Sequence, residues 1–321
     1  MDEKYFEKQF YRPHVQLDCR LTQYFVDNNL FEKYPMIIGD VGARGGGDII
    51  WEIYKEQCIL YGFEPDNQEY ELLIKKNNES SKHSFKSIIS NYALWNERQK
   101  KSLFIYAQKS ASSFYEASNF YSRLPESEQM NLIDQVEVEN VITLDEYSSQ
   151  NSIEFDILKL DVQGAELAIL QGGKYQLENN CKAVITEVEF VELYKEQPLF
   201  NDIDCFLKQR GFTLFDLDIR RWSRKKLSKN LHKVKFGQII YADALYLKDP
   251  IENNTYRKLI SKKDCLKLIS IAELFSLPDF ALELIDFSHE KGFVEASERN
   301  YYIDLINSNK IKKIRNRNIQ I

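Results

Sequence analysis

The sequence predicts a doubly wound α/β fold, a mostly parallel sheet with helices on both faces, and three observations predict it. Short apolar runs alternate with helical patterns along most of the chain. The first clear run, "MIIGDVGARGGG" at residues 36–47, breaks into glycines at its carboxyl end. Acids close several later runs. In an open parallel sheet the ligand lies outside the carboxyl ends of the strands, so these glycines and acids fall where function is expected.

The elements follow in order. Residues before about Tyr34 read as helical, with Leu17, Leu21, Tyr24 and Phe25 at helical spacing. "MIIGDVGA" is a short buried strand, "DIIWEIYKEQ" a helix, "CILYGFEP" a second strand and "NQEYELLIKKN" a helix. "FKSIISNYAL" is a third strand, and "KSLFIYA" pairs locally. A polar stretch runs from Gln108 to about Gln135, and "VEVENVITL" is a further strand candidate. Then come strand "FDILKLDVQG", helix "AELAILQGGKYQLEN", strand "KAVITEVEF" and helix "NDIDCFLKQRG", stopped by Gly211. "FTLFDLD" and "ADALYLK" are the last strands. From about Thr255 the pattern changes to two or three amphipathic helices and a basic tail, "KIKKIRNRNIQI". The expected division is an N-terminal helical segment at 1–34, a ligand-binding domain at 35–250, and a C-terminal helical appendage at 251–321.

Composition narrows the class. Hydrophobic content of 43% with 29% charged residues is that of a globular protein, and the formal charge of −6 argues against bulk nucleic-acid binding. No apolar run approaches the ~18 residues of a membrane span. "MDEKYFEKQFYRPH" lacks a signal-peptide core. The five cysteines show no metal or redox spacing, so a cytoplasmic protein with reduced thiols is expected.

Glycines at a strand-to-helix turn let a ligand approach the backbone. A dinucleotide turn wants G-x-G-x-x-G, and the spacing Gly42, Gly45, Gly46, Gly47 fails it. Asp40 at the strand end would repel a phosphate and attract a cationic amine. Asp40-x-Gly42-x-Arg44-x-Gly46 therefore favours S-adenosyl-L-methionine. Glu64, ending the next strand, is placed to accept hydrogen bonds from ribose hydroxyls. A plain reading, with Asp40 as a helix cap and the glycines as a tight turn, is weakened by Glu64-Pro65 following at the right interval.

With these residues in view, the chain resembles the FkbM family of S-adenosylmethionine-dependent methyltransferases. "DVGARGG" matches the family's D-V-G-A-N-x-G turn, and "FEP" at 63–65 its F-E-P strand end. The T-L-D segment is at 143–145, "KLDVQGAELAILQGG" at 159–173 matches K-I-D-V-E-G-A-E with V-L-x-G, and "VITEVEF" carries the late acid, Glu187. The resemblance spans about residues 37–248. Two departures stand out: Arg44 replaces an Asn, and Gln163 replaces a Glu. Arg44 could pair with the cofactor's carboxylate. Gln163 can hydrogen-bond but cannot act as a base. The resemblance implies methylation of a sugar or other hydroxyl.

Asp161 ends the fourth main strand and is the first candidate for general base or acceptor orienter, with Glu187 on the next strand able to reach the same space. Two such acids could also hold a divalent metal; with no third ligand in the pattern, none is predicted. Lys159 shares a face with Asp161 by alternation and could pair with that acid, in the reaction or as a purely structural salt bridge. Glu166, in a helix's first turn, reads equally as site residue and as cap. Asn91 and Ala93, ending the third strand, fall near the adenine. "SASSF" at 110–114 is a loop that could cover the site, with Ser113 as a contact. "RRWSRKKLSKNLHKVKF" at 220–236 holds many Lys and Arg and no acid. It reads as a solvated face or as a lid that attracts phosphate or an acidic glycan, through Arg220, Arg221 and Arg224.

The expected activity is O-methyl transfer from S-adenosyl-L-methionine to a hydroxyl of a sugar or surface-glycan precursor. The partner is a small-molecule or glycan acceptor, without nucleic acid or membrane span, and a homo-oligomer stays open. The alternatives are a small natural product such as a polyketide as acceptor, or a non-catalytic module that keeps the fold. An NAD-dependent dehydrogenase is disfavoured by the failed glycine spacing.

Overall fold

The computed structural model describes residues 15–79, 83–125, 127–227 and 237–314. Seven strands form the central sheet: β1 (Met36–Val41), β2 (Cys58–Phe63), β3 (Lys86–Ser90), β4 (Ile157–Leu160), β5 (Ala183–Glu189), β6 (Phe212–Trp222) and β7 (Gln238–Lys248). Their order across the sheet is β6-β7-β5-β4-β1-β2-β3. β7 runs antiparallel to both neighbours, and the other pairings are parallel. The chain winds outward from β1 in one direction and from β4 in the other. The switch point, where ligands settle in such sheets, therefore lies between the exits of β1 and β4.

The sequence explains most elements. β1, β4 and β5 are buried nearly throughout and open on apolar residues, as expected for strands covered on both faces, with their charged residues toward the carboxyl end. The helices are α1 (Arg20–Asp27), α2 (Asn67–Glu79), α3 (Leu144–Asn151), α4 (Glu166–Gly172), α5 (Lys174–Asn179), α6 (Phe200–Lys208), α7 (Asn254–Leu259), α8 (Lys262–Leu274), α9 (Pro278–Glu290) and α10 (Ala296–Asn307).

Three expectations change. The helix expected after the glycine turn is a 3₁₀ segment, Ile49–Gln57, interrupted where Lys55 takes φ 50°. The helix expected across 165–179 breaks into α4 and α5. A Cβ on Gly172 would sit 2.1 Å from the Trp95 carbonyl oxygen, and one on Gly173 would sit 2.6 Å from Leu144 Cδ2, so neighbouring backbone and side chain crowd the break. Leu17 belongs to a short strand, Val15–Leu17, which pairs antiparallel with Ile311–Ile314 in the basic tail. Outside the central sheet, Lys101–Tyr106 pairs locally with Leu132–Val138.

Each face of the sheet has its own core. Alternate residues such as Leu158, Leu160 and Val184 pack with α3–α6. The other face presents Ile38, Ile157, Ile185 and Leu245 to α1, Trp51, Tyr54 and the C-terminal helices α8–α10, which share this cluster with the strands. Charge adds to this contact. Asp156, buried at the amino edge, accepts from Ile37 N (2.8 Å), Lys182 Nζ (2.8 Å) and Lys267 Nζ (2.5 Å), joining α8 to the strands. Glu273 of α8 supplies the N-terminal cap that α1 lacks. Its carboxylate accepts from Leu21 N (3.1 Å), Thr22 N (2.7 Å) and Thr22 Oγ1 (2.7 Å).

Glu273→Ala leaves two buried amides unpaired and is expected to cost about 3 kcal/mol. Chemical denaturation checks it: Glu273→Gln, which keeps one acceptor, should lose clearly less.

Candidate active site

The site is built by register across the carboxyl edge. Asp40 of β1 lies opposite Lys159 of β4. Lys159 Nζ donates to Asp40 Oδ1 at 2.6 Å, with the side chains 3% and 1% exposed. Burial alone would discharge this ammonium, but the charges of Asp40 and Asp161 outweigh it and raise its pKa. Asp40 Oδ2 is buried with no hydrogen-bond partner among the described residues.

One step toward the edge, on the same face, lies a row of acids. Thr186 pairs with Leu160, so Glu187 stands beside Asp161; Glu187 pairs with Asp243, and Asp243 with Asp218. Gln163 bridges the first two, its Nε2 donating to Asp161 Oδ1 and to Glu187 Oε1, each at 3.1 Å. Tyr194 Oη donates to Gln163 Oε1 at 3.0 Å, and Ser113 Oγ donates to its carbonyl at 2.6 Å. Gln163 holds φ 59°, a left-handed conformation that non-glycine residues adopt at a cost. A glutamate at 163 would set a third carboxylate against two others; the amide attracts both.

Desolvation dominates the titration here. Burial, then the charges of Asp161, Glu189, Asp243 and Glu166, push the Glu187 carboxyl well above its usual range. Burial likewise pushes Asp243 up to about 7, against the pull of Arg220. Glu189 is fully buried with both oxygens unpartnered among the described residues. Its pKa rises by burial and by the charge of Glu166, while Gln197 pulls the other way.

The expected residues divide. Gly42 at φ 79° is fixed by the fold itself, since a Cβ there would sit 2.2 Å from the Asp161 carbonyl oxygen, where the two switch-point strands exit together. Gly45 and Gly46 also hold positive φ, and Gly45 faces open space within 4 Å. Ala43, in the glycine turn, and Ala93, just beyond the end of β3, are both buried. Arg44 is committed elsewhere: it pairs with Asp66 at 2.9 Å and Glu69 at 3.2 Å, bracing the glycine turn against the turn after β2. Glu64 is buried at the end of β2 and accepts from Asp66 N at 3.0 Å. Pro65 and Asn91 line a cavity of about 500 Å³, roofed by the local hairpin, and Asn91 donates to Asn67. Glu166 resolves as a cap, its two oxygens accepting from Val162 N and Gly164 N at 2.9 Å each, with burial raising its pKa to about 7. Among the described residues no group of three or more His, Cys, Asp or Glu could hold a metal.

Arg220 departs from the lid role expected of it. It lies within β6 and pairs with Asp218 at 2.6 Å and Asp243 at 3.4 Å, neutralising the far end of the acid row. Arg221 is exposed and donates to Gly237 O at 3.2 Å, and Arg224 donates to Gln238. The rest of that basic stretch, 228–236 with His232, lies outside the described residues. Sequence reading missed Tyr194 and Asp243. Alternation in "YADALY" could have placed Asp243 on the Leu245 face, whereas Tyr194, in a loop, carries no periodic signal.

A family model described as the methyltransferase FkbM domain matches residues 40–214, just over half of the 321 residues. The chain belongs to the FkbM methyltransferase family. The matched span runs from Asp40 through Asp161, just after β4, and the acids of β5 into β6. Similar solved structures include an FkbM methyltransferase from Methylobacillus flagellatus KT, at 12% identity and TM-score 0.39, covering 66% of this chain and 43% of that one. They also include magnesium protoporphyrin IX methyltransferase from Synechocystis PCC 6803 with bound SAM, at 10% identity and TM-score 0.33, covering 72% and 79%. A third is precorrin-6y C5,15-methyltransferase from Geobacter metallireducens GS-15, at 8% identity and TM-score 0.34, covering 75% and 96%. The chain spans under half the length of the first of these. No curated protein matches the chain in sequence.

The raised acids make stability depend on pH. A carboxyl whose folded pKa is raised stabilises fully below its unfolded value of about 4.3, and that contribution is lost as pH rises through the folded value. Glu189→Gln has no proton to lose. Its melting temperature should fall less than wild type's between about pH 5 and pH 8 and exceed it at pH 8, as calorimetry at both pH values will read.

Proposed function

We propose that this FkbM-family protein is an S-adenosylmethionine-dependent O-methyltransferase acting on a hydroxyl of a sugar or surface-glycan precursor. The observation that carries the reading is the Asp161–Gln163–Glu187 bridge at the switch point, beside an open glycine turn. The residues fit the cofactor. Asp40 Oδ2 is a buried acceptor without a partner among the described residues, suited to an ammonium group, and Glu64 at the next strand end suits ribose hydroxyls. Pro65 and Asn91 border a cavity of about 500 Å³, within the usual range for ligand pockets. Gly46 lets the backbone approach, and Arg44 keeps the turn in place.

S-adenosylmethionine, when bound, supplies an activated methyl group. The chain's own part is positioning and proton transfer. Asp161 takes the proton of the acceptor hydroxyl. Glu187, whose carboxyl burial holds well above its usual range, accepts from Gln163 through Oε1 and lies beside Asp161, where it can help to orient the acceptor. Lys159 holds Asp40 in place and shares its field with Asp161.

Transfer of a labelled methyl group to a panel of sugar nucleotides and glycan oligosaccharides tests this. Asp161→Asn should lower kcat by about 10²–10⁴-fold while the protein still binds S-adenosylhomocysteine. Absence of transfer to every hydroxyl acceptor by wild type, or an unchanged kcat in the variant, would overturn the assignment.

A further inference from the structure

We propose that Arg123 and Arg224 form a phosphate-binding subsite for the acceptor, at the outer end of the acid row; this rests on the methyltransferase reading above and narrows its substrate to a phosphate- or diphosphate-bearing sugar. The two arginines come from different segments. Arg123 ends the 3₁₀ turn Asn119–Arg123, and Arg224 follows β6. Lys225 staples the segments together, donating from N to Arg123 O at 3.0 Å and from Nζ to Ser122 O at 2.7 Å. Both guanidinium groups lie over the Phe120 ring, at 4.6 Å for Arg224 and 5.6 Å for Arg123 from its centroid.

Charge balance sets this pair apart. Arg220 and Arg44 are each held by two carboxylates. Arg123, Arg221, Arg224, Lys225 and Lys226 have no carboxylate partner among the described residues. Arg224 Nη1 is shielded from solvent with no partner there. Stacking on one ring gains something for each cation, yet two like charges side by side repel without an anion between them. A phosphate dianion relieves that repulsion and matches the forked donors of both guanidinium groups.

Packed aromatic rings connect the patch to the reaction centre from beneath. Trp222, at the carboxyl end of β6, packs against Tyr241 at 5.6 Å and Tyr121 at 6.3 Å between centroids. Tyr121 packs against Tyr194 at 6.0 Å, whose hydroxyl reaches Gln163. The acceptor surface is therefore bipolar, with carboxyls at Asp161 and Glu187 for hydroxyl groups and arginines further out for an anion. The paired Arg220 between them balances the acid row and leaves the anion to Arg123 and Arg224.

The test titrates uridine diphosphate, pyrophosphate and inorganic phosphate into wild type, Arg224→Lys and the double variant Arg123→Gln/Arg224→Gln, with and without saturating S-adenosylhomocysteine. The double variant should weaken Kd for uridine diphosphate and pyrophosphate at least tenfold and leave melting temperature and S-adenosylhomocysteine affinity unchanged. Arg224→Lys, keeping charge without the fork, should fall between. Equal loss for both anions would mean that the phosphate groups alone are read; a larger loss for uridine diphosphate would add the nucleoside, and either result supports the subsite. Unchanged Kd values in the double variant, or no anion binding by wild type, would overturn it. Failure of wild type to bind S-adenosylhomocysteine would sink only the methyltransferase reading, because the anion titrations run without it as well.

Discussion

The site depends on one buried ion pair, Lys159 with Asp40, set across the two strands that meet at the switch point. Neither partner tolerates the loss of the other, because a lone charge at such burial costs about 3–5 kcal/mol. The pair pins β1 to β4 one residue before Val41 and Leu160, where both strands end. From there Gly42 can approach the Asp161 backbone, and the row Asp161, Glu187, Asp243, Asp218 falls into line along the edge. A cation on each side, Lys159 within and Arg220 beyond, lets four acids stand on adjacent strands. The two cations offset only part of the acidic charge, and burial raises the pKa of Glu187 and Asp243.

The same strands carry a second charged junction at their opposite end. Asp156, just before β4, gathers Lys182 and Lys267 and so fastens α8 to the sheet. Glu273 then ties α8 to α1. The C-terminal helices thus cover the lower part of the face whose upper part bears the acid row. Covering the apolar residues Ile38, Ile157, Ile185 and Leu245 and exposing the acids beyond them is one arrangement, produced by strand alternation.

Much of this was legible in the sequence, because continuous apolar runs and helical periods survive into the structure with shifts of a few residues. The mostly parallel sheet followed from the alternation of strands and helices, and the positions of the glycine turn and of the acids at 64, 161 and 187 from where the apolar runs end; the order of the strands did not. What was not legible depends on register. Lys159 was expected beside Asp161 by alternation along one strand; its 2.6 Å partner across the sheet, Asp40, emerges only once β1 and β4 are paired. Arg44 looked free for ligands because its partner Asp66 lies 22 residues away; Arg220 looked free because β6 was expected to end at Asp218, whereas it runs on to Trp222 and sets Arg220 on the same face as Asp218 and beside Asp243. Tyr194 and Arg123 sit in irregular segments, where no period marks a face. The 3₁₀ segment at Ile49–Gln57 kept a helical pattern while its backbone broke at Lys55.

Hydrogen–deuterium exchange with and without S-adenosylhomocysteine tests most directly whether the switch-point edge holds the cofactor. The account predicts slowed exchange in peptides covering residues 40–47, 63–68 and 161–164, with the amino edge around Asp156 unchanged. Protection confined to other segments, or none at a saturating concentration, would contradict it.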